Sequence, residues 1–167
     1  MSHNPDAGRS RSPDEIAALL PHQYPFRFVD EVTRYEPGQR LEARFRPEPL
    51  RPMYGYAQTV PSTVMIEGLA QAAVLFVQLE TKPLAPGEIP LLGKAEASVR
   101  REASWREPLL YDIRPIRMTC SQAILSGTMS GGDGGVLATA TLCVAVAEGA
   151  GDERGVDHES GGRTPVP

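Results

Sequence analysis

Apolar and polar positions alternate along several short stretches of this chain and run together in one long stretch. Alternation with a period of two over 26–35 and 40–46, on either side of Pro37-Gly38, predicts a β-hairpin. A nearly continuous apolar stretch over about 62–80 predicts one long helix that is buried on most of its surface. Alternation then returns in four stretches that predict an antiparallel meander: 90–103 (with a bend), 109–120, 122–130 and 136–147.

A short first helix precedes the hairpin. Ser12 is a typical N-cap residue, Pro13 suits the first helical position, and Glu15 completes a capping box. The order short helix, hairpin, long helix and meander predicts an α+β fold in which the antiparallel sheet wraps around the long central helix. We expect a single domain over 13–147, with disordered tails at 1–12 and 148–167.

Composition excludes several classes of protein. The chain has 167 residues, 41% of them hydrophobic, and a formal net charge of −4, which argues against a nucleic-acid binder. Cys120 and Cys143 have no metal-ligand spacing, so we expect two reduced core thiols rather than a disulfide or zinc site. The polar N-terminus predicts no signal peptide, and 64–79 is too short and too interrupted to span a membrane. A cytoplasmic protein without cofactor or metal is expected.

Glu67 is the unusual residue of the long helix, because it is a carboxylate one turn into an otherwise apolar sequence. We expect it to be desolvated, a setting in which a carboxyl group can hold a proton and act as an acid. The start of the same helix offers unpaired N–H groups and a positive dipole end, which suit a developing negative charge.

Two blocks of sequence carry a family resemblance. Residues 20–30, LPHQYPFRFVD, resemble the LPHRYPFxxVD signature of the hot-dog-fold 3-hydroxyacyl-[acyl-carrier-protein] dehydratases. Residues 61–72, PSTVMIEGLAQA, resemble the PGVLxxEALAQA helix of the same family. The blocks occur in the family's order, and the resemblance extends over about 15–147.

The resemblance implies a hot-dog fold and a dimer with active sites at the subunit interface. In such enzymes a His from one subunit removes the C2 proton of a 3-hydroxyacyl thioester held on acyl carrier protein. A carboxylic acid from the other subunit protonates the departing hydroxyl; this is the role implied for Glu67. The resemblance also places Ser62, Thr63, Met53 and Tyr54 at the substrate, with the N–H of Ser62 or Thr63 polarising the thioester carbonyl. Ser62 stands where the family has Gly.

The catalytic His is the part of the motif that this chain lacks. The family carries it in a GHFP motif, and the matching position, fourteen before Glu67, is Met53. Of the three histidines, His3 and His158 lie in the predicted tails. The resemblance puts His22 outside the catalytic pair, so we expect a structural role for it. Tyrosines nearby are poor bases, because a phenol titrates near pH 10.

Three interpretations follow from this departure. In the first, the chain is one subunit of a heterodimeric dehydratase, in fatty-acid or type II polyketide (polyene-like) synthesis, and a His-bearing homologue completes the site. In the second, it is a hot-dog acyl thioesterase with a helix carboxylate as base or nucleophile. In the third, it is a non-catalytic acyl-binding or scaffold subunit.

Roles are also predicted for three further residues. Arg100 and Arg101 follow the helix in an otherwise acidic chain, and the resemblance places them near the mouth of the acyl tunnel. They are candidate contacts for an acidic carrier protein, or else ordinary solvated residues. Gln71 is expected to satisfy nearby backbone groups, with no chemical role.

Overall fold

A computed structural model describes residues 12–81, 88–119 and 122–148. Cys120, His3 and His158 lie outside these ranges. The predicted tails also lie outside them, except for Ser12 and Glu148.

The described residues form two α-helices, one 3-10 helix and eight strands. In chain order they are α1 (Pro13–Leu19), β1 (Glu31–Glu36), β2 (Arg40–Phe45), the 3-10 helix (Glu48–Tyr54), β3 (Thr59–Val60), α2 (Ser62–Glu80), β4 (Glu88–Val99), β5 (Ala103–Ser104), β6 (Leu109–Met118), β7 (Gln122–Ser130) and β8 (Val136–Glu148). The predicted capping box is present: Ser12 Oγ accepts from the Glu15 N–H, and the Glu15 carboxylate accepts from the Ser12 N–H.

Six strands form one antiparallel sheet in the order β1-β2-β6-β7-β8-β4, and β3 pairs with β5 in a separate ribbon. The central helix α2 contacts β2, β4, β6, β7 and β8. This arrangement confirms the predicted α+β hot-dog architecture, in which the sheet wraps around one long helix.

The apolar character of α2 is explained by its position in the core. Its buried side chains include Leu69, Leu75 and Phe76, each with no exposed surface. By length and composition α2 could cross a membrane, but 67% of its most apolar window is buried within the protein. The apolar sequence of α2 is therefore explained by its burial against the sheet.

The strand predictions need two corrections. The stretch predicted as one bent strand over 90–103 is divided into β4 and β5, which belong to different sheets. The hairpin begins at Glu31 rather than at 26, because the backbone of Phe28 bonds to side chains instead of a strand: its N–H donates to Gln71 and its carbonyl accepts from Tyr111. Residues 20–30 are consequently irregular, with a cis peptide between Tyr24 and Pro25.

Two smaller expectations have opposite outcomes. A proline inside a strand sequence predicts either an edge position or a bulge, and the bulge is what Pro115 has, since the β6–β7 register shifts between Pro115 and Arg117. Cys143 is not a core thiol. Leu142 and Val144 point into the core, so Cys143 between them faces the other side of the sheet and is only half-buried.

Candidate active site

Glu67 lies in the second turn of α2, on the side of the helix that faces residues 22–28. Its neighbours Met65 and Leu69 are buried, but 42% of the Glu67 side chain is exposed. The expected desolvation of this carboxylate is therefore wrong for the single protomer. The carboxylate is accessible from solvent.

Gln71, one turn after Glu67, connects the helix to the irregular segment. Its side-chain oxygen accepts from the Phe28 N–H at 2.8 Å, and its Nε2 donates to the Phe26 carbonyl at 2.8 Å. The same Nε2 donates to Glu67 Oε1 at 3.1 Å. Gln71 is only 1% exposed. Gln71 therefore bonds to nearby backbone groups as expected, and it also donates a hydrogen bond to the Glu67 carboxylate.

His22 lies beside the same carboxylate oxygen. Its Nε2 is 3.6 Å from Glu67 Oε1, slightly beyond hydrogen-bond length. The other ring nitrogen, Nδ1, is buried and has no hydrogen-bond partner among the described residues. His22, which the family resemblance puts outside the catalytic pair, is therefore an immediate neighbour of Glu67.

Tyr111 of β6 fixes the position of the irregular segment from the sheet side. Its hydroxyl donates to the Phe28 carbonyl at 2.8 Å, and burial raises the pKa of this phenol well above its ordinary value, with Asp30 adding to the effect. The hydroxyl also lies directly against Gly68, where an added Cβ would be 2.3 Å from it. Gly68, which stands where the family motif has Ala, lets the helix approach Tyr111 this closely.

Ser62 and Thr63 form the exposed first positions of α2. The N-cap residue is Pro61, which provides no side-chain hydrogen bond to the helix start. Pro61's carbonyl accepts from the N–H groups of Val64 and Met65, later in the turn. The N–H groups of the first two helical residues are thus at a helix end where an anionic oxygen would be favoured.

Met53 and Tyr54 end the 3-10 helix. Met53 is 53% exposed. Tyr54 packs against Trp105, with ring centroids 5.4 Å apart, and the Trp105 indole donates to the Ala57 carbonyl at 2.9 Å. These contacts hold the segment 53–57 against the β5 region. The polar contacts of Glu67 described above involve His22 and Gln71 and not Met53 or Tyr54.

Arg100 and Arg101 differ in their surroundings. Both are exposed. Arg101 bonds to Asp133 at 3.0 Å and forms an ion pair with Glu107 at 3.3 Å. These bonds join the β4–β5 connection to the turn before β8. The charge of Arg101 is therefore already paired within the chain.

The structure reveals a cluster that sequence reasoning only partly found. The Glu67–Gln71 spacing of four residues on a helix is a signal for such a contact. The approach of His22 depends on how residues 20–30 fold back on α2, and no local pattern encodes it. Among the residues described, no group of three or more His, Cys, Asp or Glu side chains could hold a metal ion.

Comparisons with known proteins support the family on sequence. No protein-family model matches the chain. The 3-hydroxyacyl-[acyl-carrier-protein] dehydratase FabZ of Aromatoleum aromaticum is 31% identical over 106 residues, which are 60% of this chain and 73% of the relative. The chain belongs to the FabZ dehydratase family.

Two further similarities are to other dehydratases. The coronafacic acid dehydratase of Pseudomonas savastanoi pv. glycinea is 26% identical over 101 residues, 58% of this chain and 61% of the relative. Among solved structures, the dehydratase heterocomplex ApeI:P from Xenorhabdus doucetiae has a TM-score of 0.68 at 17% identity, covering 80% of this chain and 91% of that one. The structural likeness confirms the fold.

Proposed function

We propose that this FabZ-family chain is one subunit of a heterodimeric 3-hydroxyacyl-[acyl-carrier-protein] dehydratase, with Glu67 as its catalytic acid. The observation that carries the proposal is the environment of Glu67, a solvent-accessible carboxylate held by Gln71 on a buried helix. The family membership supplies the substrate class.

The proposed reaction needs a base that Met53 cannot provide, because a thioether does not accept a proton in water. A His of the partner subunit takes the C2 proton, and the C2–H electron pair forms the C2=C3 bond. Glu67 gives its proton to the C3 hydroxyl as the C3–O bond breaks, so that water and a 2-enoyl thioester result. The N–H of Ser62 or Thr63 stabilises the negative charge on the thioester oxygen meanwhile.

Two observations support a heteromeric assembly. Met53 stands where the family motif has its His, so two copies of this chain would lack the base. The solved structure of similar fold from Xenorhabdus doucetiae is a dehydratase heterocomplex. We further propose that the acyl chain is built for fatty-acid or polyketide synthesis, as the coronafacic acid dehydratase relative suggests. Arg100, whose charge is the less engaged of the pair, is the better candidate for carrier contact.

The test compares the chain alone with the chain mixed with a His-bearing homologue. A 3-hydroxyacyl carrier thioester is the substrate, and the conjugated enoyl product is followed by its absorbance. We expect no dehydration by the chain alone and dehydration by the complex. Hydrolysis of the thioester by the chain alone would instead indicate a thioesterase, and silence in both conditions would indicate a non-catalytic subunit.

The substitution Glu67→Gln removes the transferable proton while it keeps the size of the side chain. We expect it to lower kcat of the complex by about 10²–10⁴-fold, the usual contribution of a general acid. Glu80→Gln is the matched control, since Glu80 lies on the same helix about 20 Å along its axis and accepts hydrogen bonds from Tyr35 and Gly38. Full activity of the Glu67 variant would refute the assignment.

A further inference from the structure

The two oxygens of the Glu67 carboxylate have different surroundings. The Gln71 Nε2 contact at 3.1 Å and the His22 Nε2 contact at 3.6 Å both involve Oε1. Among the residues that the structure describes, Gln71 makes no hydrogen bond to Oε2. If Glu67 is the acid of the proposed function, this asymmetry decides which oxygen delivers the proton.

The orientation of the Gln71 amide follows from its backbone partners. The Phe28 N–H can only donate, so it must meet the amide oxygen, and the NH₂ group must then point to the Phe26 carbonyl and Glu67. A reversed amide would bring two donors together at Phe28 and two acceptors together at Phe26. Because Gln71 is buried, that arrangement would be costly. Gln71 is therefore a fixed donor toward Glu67 Oε1.

The tautomer of His22 follows from its buried nitrogen. Nδ1 has no hydrogen-bond partner in the described part of the chain. A buried N–H without an acceptor is rarer in proteins than an unused acceptor, so the neutral ring carries its hydrogen on Nε2. Nε2, 3.6 Å from Glu67 Oε1, then turns its N–H toward that oxygen from just beyond hydrogen-bond length. A nitrogen that already bears hydrogen cannot be the base that removes the C2 proton.

We propose that His22 and Gln71 are positioning residues that hold Oε1 of Glu67, so that Oε2 carries and delivers the catalytic proton. An oxygen that accepts the Gln71 N–H and faces the nearby His22 N–H is the poorer site for the single proton of a carboxylic acid. The Oε2–H bond breaks as the leaving hydroxyl becomes water. The two N–H groups then stabilise the carboxylate that remains.

The kinetic test uses two His22 variants in the complex with the His-bearing homologue. His22→Phe keeps a flat ring and removes the donor, whereas His22→Gln places a donor nitrogen at a similar reach. We expect His22→Phe to lower kcat on the order of 10- to 100-fold with little change in KM, and His22→Gln to keep most of the activity. The alkaline limb of the pH profile should move upward in His22→Phe, because the carboxylate loses a stabilising donor.

A larger loss of kcat in His22→Phe than in His22→Gln, together with the shift of the alkaline limb, supports donation by His22. Equal loss in both variants, or a wild-type pH profile in His22→Phe, would overturn it. Substitution of Gln71 is less informative, since it leaves the Phe28 N–H and Phe26 carbonyl unpaired and threatens folding.

A second measurement does not depend on catalysis. In the chain alone, NMR follows the side-chain nitrogens of Gln71 and His22 and the Glu67 carboxyl carbon during a pH titration. We expect both nitrogens to show a transition at the midpoint of the Glu67 carboxyl, and Glu67→Gln to abolish it. Nitrogens that do not respond would overturn the positioning proposal. If both nitrogens respond in the chain alone but the complex with the His-bearing homologue does not dehydrate the substrate, the proposed function is refuted and the positioning proposal is not.

Discussion

At the residue scale, Gly68 shows how a single missing side chain shapes the site. Alanine is the better helix former by about 1 kcal/mol, so helix propensity alone favours replacing this glycine. The Tyr111 hydroxyl, however, lies where the new methyl group would go, at 2.3 Å. Steric overlap of this kind in a packed core outweighs the propensity.

We therefore expect Gly68→Ala to lower the free energy of unfolding by about 1–3 kcal/mol, as measured by urea denaturation. The matched background is Tyr111→Phe, which removes the overlapping oxygen. Although Tyr111→Phe itself leaves the Phe28 carbonyl without a donor, the additional cost of Gly68→Ala should be smaller there. An equal cost in both backgrounds would contradict the steric explanation.

At the scale of secondary-structure elements, an ion pair links β2 to β6, and we expect its contribution to stability to depend on pH. Arg40 donates to both carboxylate oxygens of Asp112 across the strand pair, at 3.0 and 2.9 Å. Partial burial alone would raise the pKa of Asp112, but hydrogen bonds from Arg40 and Arg114 outweigh it, and the pKa lies below the ordinary value of 3.8. The folded state therefore holds the ionised form more strongly than the unfolded chain does.

A lowered pKa in the folded state gives a contribution to stability that is complete above pH 3.8 and is lost as the pH falls through the folded value. We expect Asp112→Asn to be less stable than the parent chain at neutral pH and to lose less stability on acidification below about pH 4. Urea unfolding at several pH values measures both. Parallel curves for the two proteins would contradict this linkage.

The sequence predicts the elements of this fold better than it predicts the connections between them. The bounds of α2 and the bulge at Pro115 follow from local patterns, because apolar periodicity and the missing N–H of proline act locally. Residues 20–30 were predicted in part as strand, since alternation there resembles a hairpin arm. Their path is set instead by Gln71 and Tyr111, which lie 43 and 83 residues from Phe28. The proximity of His22 to Glu67 is a consequence of that path.

At the scale of the whole molecule, the proposed need for a second, His-bearing subunit follows from one residue, Met53. Met53 is exposed at the end of the 3-10 helix, so a His side chain can be placed there without disturbing the core. If the absent imidazole is what makes the chain depend on a partner, restoring it should make the chain sufficient by itself.

We expect Met53→His to give the chain alone measurable dehydration of a 3-hydroxyacyl carrier thioester, detected by enoyl absorbance. The activity should disappear when Glu67→Gln is added, which distinguishes it from a contaminating enzyme. Met53→Gln, a polar side chain without a usable base, is the control. An inactive Met53→His chain that forms dimers would argue that the partner supplies more than a histidine.

The paired bonds of Phe28 have a consequence for hydrogen exchange. Its amide belongs to no helix or strand, yet its hydrogen is held by a side chain that is itself buried. Exchange of this hydrogen requires its bond to the Gln71 side-chain oxygen to break. The same motion of Gln71 breaks the hydrogen bond from its Nε2 to Glu67. The Phe28 amide is thus a built-in reporter on how often the proposed acid loses its support.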